Sequence, residues 1–544
     1  MRTILLILSL LLFAGCSVSE KNIIENEIAK GNFSAADKQI DLLLTDSSLT
    51  ENQRFSLKFT KDSLHRVSLD FNKKQMDIID WIKENMLFTP SAEQISSWES
   101  DGSLEFRIID GEKRYFRNAA ANIFRVNNEA KKLARPLTTS NKKTDSIIDT
   151  DLAKMLPTKM KGHYLLPKKQ MYVLYTVTVN ANAVPDGEIV RAWLPYPRKD
   201  IARQTNVQLV KTSQSESIIS DNYIAHVSDP ATNNTNNNIA LSDDKTERII
   251  DTYQTNSNNN YILSDDKTAH TSIYMEKRAV KDKPTVFEVE FSFTSQGEWF
   301  DLSQIDINPY NTSLPYYKYF TAEKKPHIQF TNRIKSLTDS ITKDATNPIE
   351  TLQSVYRYIA ANYPWASALG YSIIPNIPTY VIENKKGDCG QVTLLLITML
   401  RYKGIPARWQ SGWMMHPGEV NLHDWAEVYF EGVGWIPVDV SFGRGEELKH
   451  PIGREFFMSG IDSYRFYVNS DFSDAFYPKK KFPRSDTVDF QCGEVESESW
   501  NLYYDLWNYS MDYIIELSNG EYYMKGQNNF STFEGKALTR PVTF

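Results

Sequence analysis

A cysteine stands at the mouth of an apolar helix in "NKKGDCGQVTLLLITMLRYKGIPAR" (384–408). Val392, Leu395, Leu396, Met399 and Leu400 follow it at helical spacing and form one buried face. Asp388, with Gln391 three residues on, matches a capping box. Arg401 and Lys403 fall in the last turn, and Gly404 supplies the stop. Cys389 is then the first helical residue, at the positive end of the helix dipole, where thiolate is favoured over thiol. Asp388 opposes this slightly, so a base is needed as well.

The stretch "NLHDWAEVYFEGVGWIPVDVSFG" (421–443) supplies one. Strand alternation puts His423, Trp425, Glu427 and Tyr429 on one face, and Asp424, Ala426, Val428 and Phe430 on the other. A hairpin with its apex near 431 sets His423 opposite Asp439. An apex near 432 or 433 makes them diagonal or off register, and Pro437 hints at an edge or a bulge. An imidazole that takes a thiol proton, oriented by a carboxylate on its other nitrogen, is the arrangement nucleophilic catalysis requires. Cys389, His423 and Asp439 have the residue types for it. His416 is the rival imidazole, in the loop-like "MMHPGE", and Asp424 is the rival carboxylate, on the wrong face. Glu427 reads as solvated or salt-bridged, and Trp409, Trp413 and Trp435 as core or groove wall.

The elements that must position these residues run through a chain of 544 residues, too long for one core. A net charge of −7 without a basic cluster argues against a nucleic-acid partner. Residues 1–15 read as a signal peptide: Arg2, then an apolar run from Ile4 to Phe13 too short to cross a bilayer. "LLFAGC" resembles a bacterial lipobox, which implies lipid on Cys16, export, and anchorage in the cell envelope, most simply at the outer membrane. With Cys16 acylated, Cys389 and Cys492 remain. Two cysteines make a poor disulfide scaffold, and Cys492 reads as a small buried hydrophobe. The absence of CxxC or HxxxH spacing gives no reason to expect a metal, and no organic cofactor is implied.

The fold class expected is multidomain α+β. Residues 16–165 read as a mostly helical region, with a hairpin at "SLEFRIIDGEKRYFR" turning on Asp110-Gly111 and a polar linker at "TTSNKKTDS". Residues 168–325 switch to period two and read as a β-sandwich, interrupted by an Asn-rich insertion at 230–268 that holds two near-copies of one segment. Residues 326–450 carry the candidate site, and 451–544 form a β-rich C-terminal extension.

"GDC" opening a helix, "GIPAR" after it, "HDWAEVYF" and "GWIPVDVSFG", in that order, resemble the core of the transglutaminase-like superfamily, a papain-related cysteine fold. "RAWLPYPR" and the tail also look like the flanking parts of bacterial members. The resemblance implies Cys389 as nucleophile, His423 as base and Asp439 as orienting carboxylate, with Trp365 a candidate for oxyanion stabilisation. It implies acyl transfer from an amide through a thioester. Hydrolysis of a peptide, protein or glycopeptide is the leading expectation; the alternatives are transfer to an amine, peptide N-glycanase-type deglycosylation, and a non-catalytic binding lipoprotein.

Overall fold

A computed structural model describes residues 18–134, 140–213, 262–263, 268–444 and 448–526. Cys16 and all of the Asn-rich insertion except 262–263 and 268 lie outside the described residues. Two compact units emerge, and neither is continuous in sequence. The first draws on Met1–Thr139, Glu323–Ser340 and Arg357–Thr398; the second draws on Ser140–Ala322, Ile341–Tyr356 and Met399–Phe544.

The first unit is helical. Val18–Lys30, Phe33–Leu44, Glu51–Asp70, Gln75–Met86 and Ala92–Asp101 follow one another, and two start at genuine capping boxes: Thr50 with Gln53, and Ser91 with Gln94. The expected hairpin forms between Phe106–Ile109 and Glu112–Tyr115. Asp110 (φ 48°) and Gly111 (φ 81°) both take the positive φ that a tight two-residue turn demands. Beyond it Asn127 ends one helix, Ala119–Val126, and caps the next, Asn128–Leu133, by accepting from the Glu129 and Ala130 amides.

One expectation is corrected in the second unit. The part of the polar "TTSNKKTDS" from Ser140 on is not a linker, because Ser140–Leu152 is a helix. Thr144, Ile148, Asp151 and Leu152 are buried at i, i+4, i+7 and i+8, and Asp151 accepts from Lys169 at 3.1 Å. Half of this inward face is polar, so composition hid the periodicity.

The rest of the second unit is built on sheets. In the strand His163–Val179 burial alternates strictly from Lys169 onward, enclosing Met171, Val173, Tyr175, Val177 and Val179. It pairs with Thr285–Phe300 and with Trp507–Glu516 in a seven-stranded sheet. A five-stranded sheet has Ile189–Pro195 between Ser272–Arg278 and Glu494–Ser497. Trp193, Tyr274, Phe291 and Trp507 belong to one core with residues from both sheets. Strands from beyond residue 451 thus complete sheets begun before residue 300.

A four-stranded sheet carries the candidate site. Its order is Gly434–Val438, Glu419–Phe430, Ala407–His416, Arg465–Asn469. Gly412 lies opposite His423 on one side and Tyr467 on the other. A Cβ at Gly412 would stand 1.9 Å from the Phe466 carbonyl oxygen, so only glycine permits this strand to approach. Gly412→Ala is therefore expected to cost about 2–4 kcal/mol, read as a lowered denaturant midpoint; an unchanged midpoint contradicts the packing described.

Candidate active site

The capping box drawn from sequence is present at the cysteine helix. Gln391 N donates to Asp388 Oδ1 at 2.9 Å, and Asp388 N donates to Gln391 Oε1 at 3.2 Å. Cys389 opens the helix Cys389–Tyr402, and it carries no disulfide. Tyr371 OH donates to Asp388 Oδ1 at 2.7 Å, which disperses the carboxylate charge beside the thiol.

The loop before Cys389 is tied down residue by residue. Lys385 closes the helix Ile377–Asn384 in the left-handed conformation, and buried Lys386 pairs with Glu105 at 3.2 Å. Gly387 bridges Trp365 in parallel: its amide donates to Pro364 O, and its carbonyl accepts from Ala366 N, both at 3.2 Å. A Cβ at Gly387 would crowd Gln391 and Val381 at 3.2–3.3 Å. Trp365 is thus held beside the loop that leads to Cys389. Its indole is 40% exposed, with Arg125 over the ring at 4.5 Å.

In the second unit, His423 and Asp439 meet. His423 Nε2 lies 2.7 Å from Asp439 Oδ2, with both side chains buried. Phe430 pairs with Gly434, so the hairpin turns about residue 432 and the two residues are diagonal rather than opposite. Asp439 follows the edge strand Gly434–Val438, where Pro437 is tolerated. Its amide donates to Phe457 O at 2.8 Å, and its Oδ1 accepts from Phe442 N at 3.2 Å. An ionised carboxylate has no hydrogen to give, so Nε2 carries it, and Nδ1 is the basic nitrogen.

Beneath the pair lies an ionic chain that sequence reasoning missed. Arg465 Nη1 stands 3.0 Å from Asp439 Oδ2, an ion-pair contact outside hydrogen-bond alignment. Its Nε and Nη2 donate to Asp462 Oδ2 at 3.0 and 2.5 Å. His416 Nε2 is 3.1 Å from Asp462 Oδ1. His416 therefore ends a strand and is fully buried, contrary to the loop expected for it. Trp425 and Phe442 cover the guanidinium at 5.4 and 4.8 Å. No local signal marks it: in "SYRFYVN" alternation puts Ser463, Tyr467 and Asn469 on the same face as Arg465, the pattern of a solvent-facing strand.

Charge state follows from this enclosure. Burial would raise the Asp439 carboxyl, but His423 and Arg465 outweigh it and hold it below the ordinary value. Burial depresses His423 below the usual 6.5, against the pull of Asp439. The rivals separate cleanly. Asp424 faces away from His423 and accepts from Gln491 at 2.8 Å. Glu427 is buried and salt-bridged, accepting from Arg203, from Arg408 at 2.6 Å and from Gln410 at 2.8 Å. Trp409 and Trp413 are core, while Trp435 is half-buried under Arg408 at 4.1 Å. Cys492 is half-buried against the core that the seven- and five-stranded sheets share, and burial pushes its thiol up.

Residues 335–440 match the profile of the transglutaminase-like superfamily. An uncharacterized protein of Bacillus subtilis (strain 168), YebA, is 28% identical over 129 residues, which cover 20% of this chain and 18% of YebA. The match thus spans under a fifth of that relative's length. A provisionally assigned cysteine protease from Cytophaga hutchinsonii superposes with a TM-score of 0.36 at 12% identity, over 64% of this chain and 99% of that one. The periplasmic domain of TgpA from Pseudomonas aeruginosa gives 0.21 at 12% identity, over 55% and 91%.

Two outcomes follow. Arg465→Met strands two buried carboxylates and should destabilise by about 3–5 kcal/mol in denaturant unfolding; a variant as stable as wild type contradicts the chain. In Cys389→Ala, the His423 ring should titrate below 6.5 by NMR. Because the folded ring is the weaker base, its contribution to stability is full above about 6.5 and is lost as pH falls through the folded value.

Proposed function

Starting from the transglutaminase-like domain at residues 335–440, we propose that this chain is a cysteine-nucleophile enzyme that cleaves amide bonds, a peptidase or amidase. The observation that carries the reading is the 2.7 Å bond between His423 Nε2 and Asp439 Oδ2, which leaves Nδ1 as the proton acceptor. Cys389, at the start of its helix, is the nucleophile.

In this reading Nδ1 takes the thiol proton, and the Cys389 sulphur bonds to the carbonyl carbon of the substrate. Helix-terminal N–H groups, with Trp365 as a further candidate, hold the oxyanion. The carbon–nitrogen bond then breaks, and the imidazolium gives its proton to the departing amine. Water attacks the acyl-thioester while Nδ1 accepts its proton, and the thiolate leaves as the acid product forms. Asp439 keeps the tautomer and offsets the imidazolium charge at each stage. Peptide, protein or glycopeptide amides are the substrates proposed. Lipid on Cys16 would hold the enzyme in a bacterial cell envelope, at the outer membrane, facing such substrates. No described helix is long and apolar enough to cross a membrane.

The test is the rate of iodoacetamide alkylation of Cys389 against pH, in wild type and His423→Ala. Reaction persisting well below the ordinary thiol value of about 8.5, and lost in the variant, supports a thiolate–imidazolium pair. A wild-type profile that follows a plain thiol, unmoved by the substitution, sinks the proposal.

A further inference from the structure

Arg125 has no carboxylate partner among the described residues, and it stands beside the loop that leads to Cys389. It lies near the C-terminus of Ala119–Val126, half-buried, with its guanidinium over the indole of Trp365 at 4.5 Å. Nη1 donates to Ser367 Oγ at 3.0 Å and to Asn122 Oδ1 at 3.3 Å. Asn122 is buried and pairs reciprocally with the Ser367 backbone, donating to its carbonyl and accepting from its amide, both at 2.9 Å. This clamp fixes the guanidinium against the segment that bridges Gly387.

Among the described residues no Asp or Glu forms an ion pair with Arg125, and burial depresses its basicity. Among the described residues its Nε–H and Nη2–H donors have no acceptor, yet they are not enclosed. These two positions form the edge of a guanidinium that grips a carboxylate with two parallel hydrogen bonds. A half-desolvated cation with that edge open favours an anion more than a surface arginine does. The place matters as much. Trp365 and Gly387 are bridged, about 5 Å apart, and Cys389 is two residues further on, within about 7 Å of Gly387 along the chain.

We infer that Arg125 and Trp365 form a carboxylate-binding subsite next to the nucleophile, selecting amide substrates that bear an acidic group a few bonds from the scissile carbonyl. The guanidinium holds the carboxylate, and the exposed indole supports the apolar part of the same substituent. This rests on Cys389 as the nucleophile, and it assigns the helical region outside the family match a share in specificity.

Two alkylating reagents that differ in charge test it without any knowledge of the substrate. Iodoacetate and iodoacetamide both form a bond from the Cys389 sulphur to a methylene carbon as iodide leaves, but only the first carries a carboxylate. The full chain is treated with each at low salt, and modification of Cys389 is followed by peptide mass, separately from Cys492. The readout is the iodoacetate rate divided by the iodoacetamide rate in the same protein. Arg125→Gln should lower that ratio about three- to tenfold. Arg125→Lys, which keeps the charge and loses the fork, should fall between, and added salt should shrink the wild-type ratio toward that of Arg125→Gln. A ratio equal in wild type and Arg125→Gln, at low salt, overturns the subsite. An inert, ordinary thiol overturns the catalytic reading instead, and the two failures are distinct because the ratio can still be read at alkaline pH.

Discussion

A single buried cation organises the chemistry of the second unit. Arg465 is fully enclosed, and it reaches Asp462 through two hydrogen bonds and Asp439 through an ion pair. A charge in such a place is tolerated only when its partners are held in position, since removing any one of them exposes the rest to the full desolvation penalty. The strand Arg465–Asn469 must therefore lie where it does against Ala407–His416, and Gly412 must let it come close. The same guanidinium tempers the imidazole. It shares Asp439 with His423, so the carboxylate pulls less strongly on a ring proton, and burial leaves the ring neutral at rest. Protonation of the ring is then favoured only when a further negative charge arises beside it.

A second buried cluster braces the same sheet from its neighbour. Arg203 contacts Glu298 in the long strand Thr285–Phe300, Glu427 in the His423 strand, and the Tyr467 hydroxyl at 3.2 Å. Glu427 sits four residues from His423 and is held from three sides. Paired ions inside a core are weak evidence for stability, but they are strict about register, because a slip of one residue would bury each charge alone. Two ionic clusters on successive parts of one strand thus set where its imidazole stands.

In the first unit, around Cys389, the constraint is different in kind. The positions before Cys389 are fixed by backbone geometry: a left-handed Lys385, a glycine pressed against Gln391 and Val381, and a two-bond bridge to the Trp365 segment. The Lys386–Glu105 pair adds a tie to the hairpin region. Arg401, at the other end of the helix, does more than complement a dipole. It is buried, with Nε donating to Ala407 O at 2.8 Å and Nη1 to Ala322 O at 3.1 Å, and burial lowers it to about 10.

Local pattern made much of this legible. The capping box at Asp388 and Gln391, the helix start at Cys389, the Asp110-Gly111 turn and the alternation of Met171 to Val179 all depend on neighbours within a few residues, and each is found as read. The faces of the His423 strand were equally readable, since alternation alone separates Asp424 from His423. What could not be read are pairings across long separations. Arg465 and Asp439, Arg203 and Glu427, and Arg125 with Trp365 lie far apart in the chain, and nothing local says which charge meets which. The helix Ser140–Leu152 was hidden for the same reason: its inward face includes Asp151, whose partner Lys169 is in another element. Sequence by itself determined the chemistry-bearing residue types and the elements that carry them. Only the tertiary structure decided which buried charges neutralise one another, because that choice is made by desolvation, and desolvation exists only once the chain has closed around them.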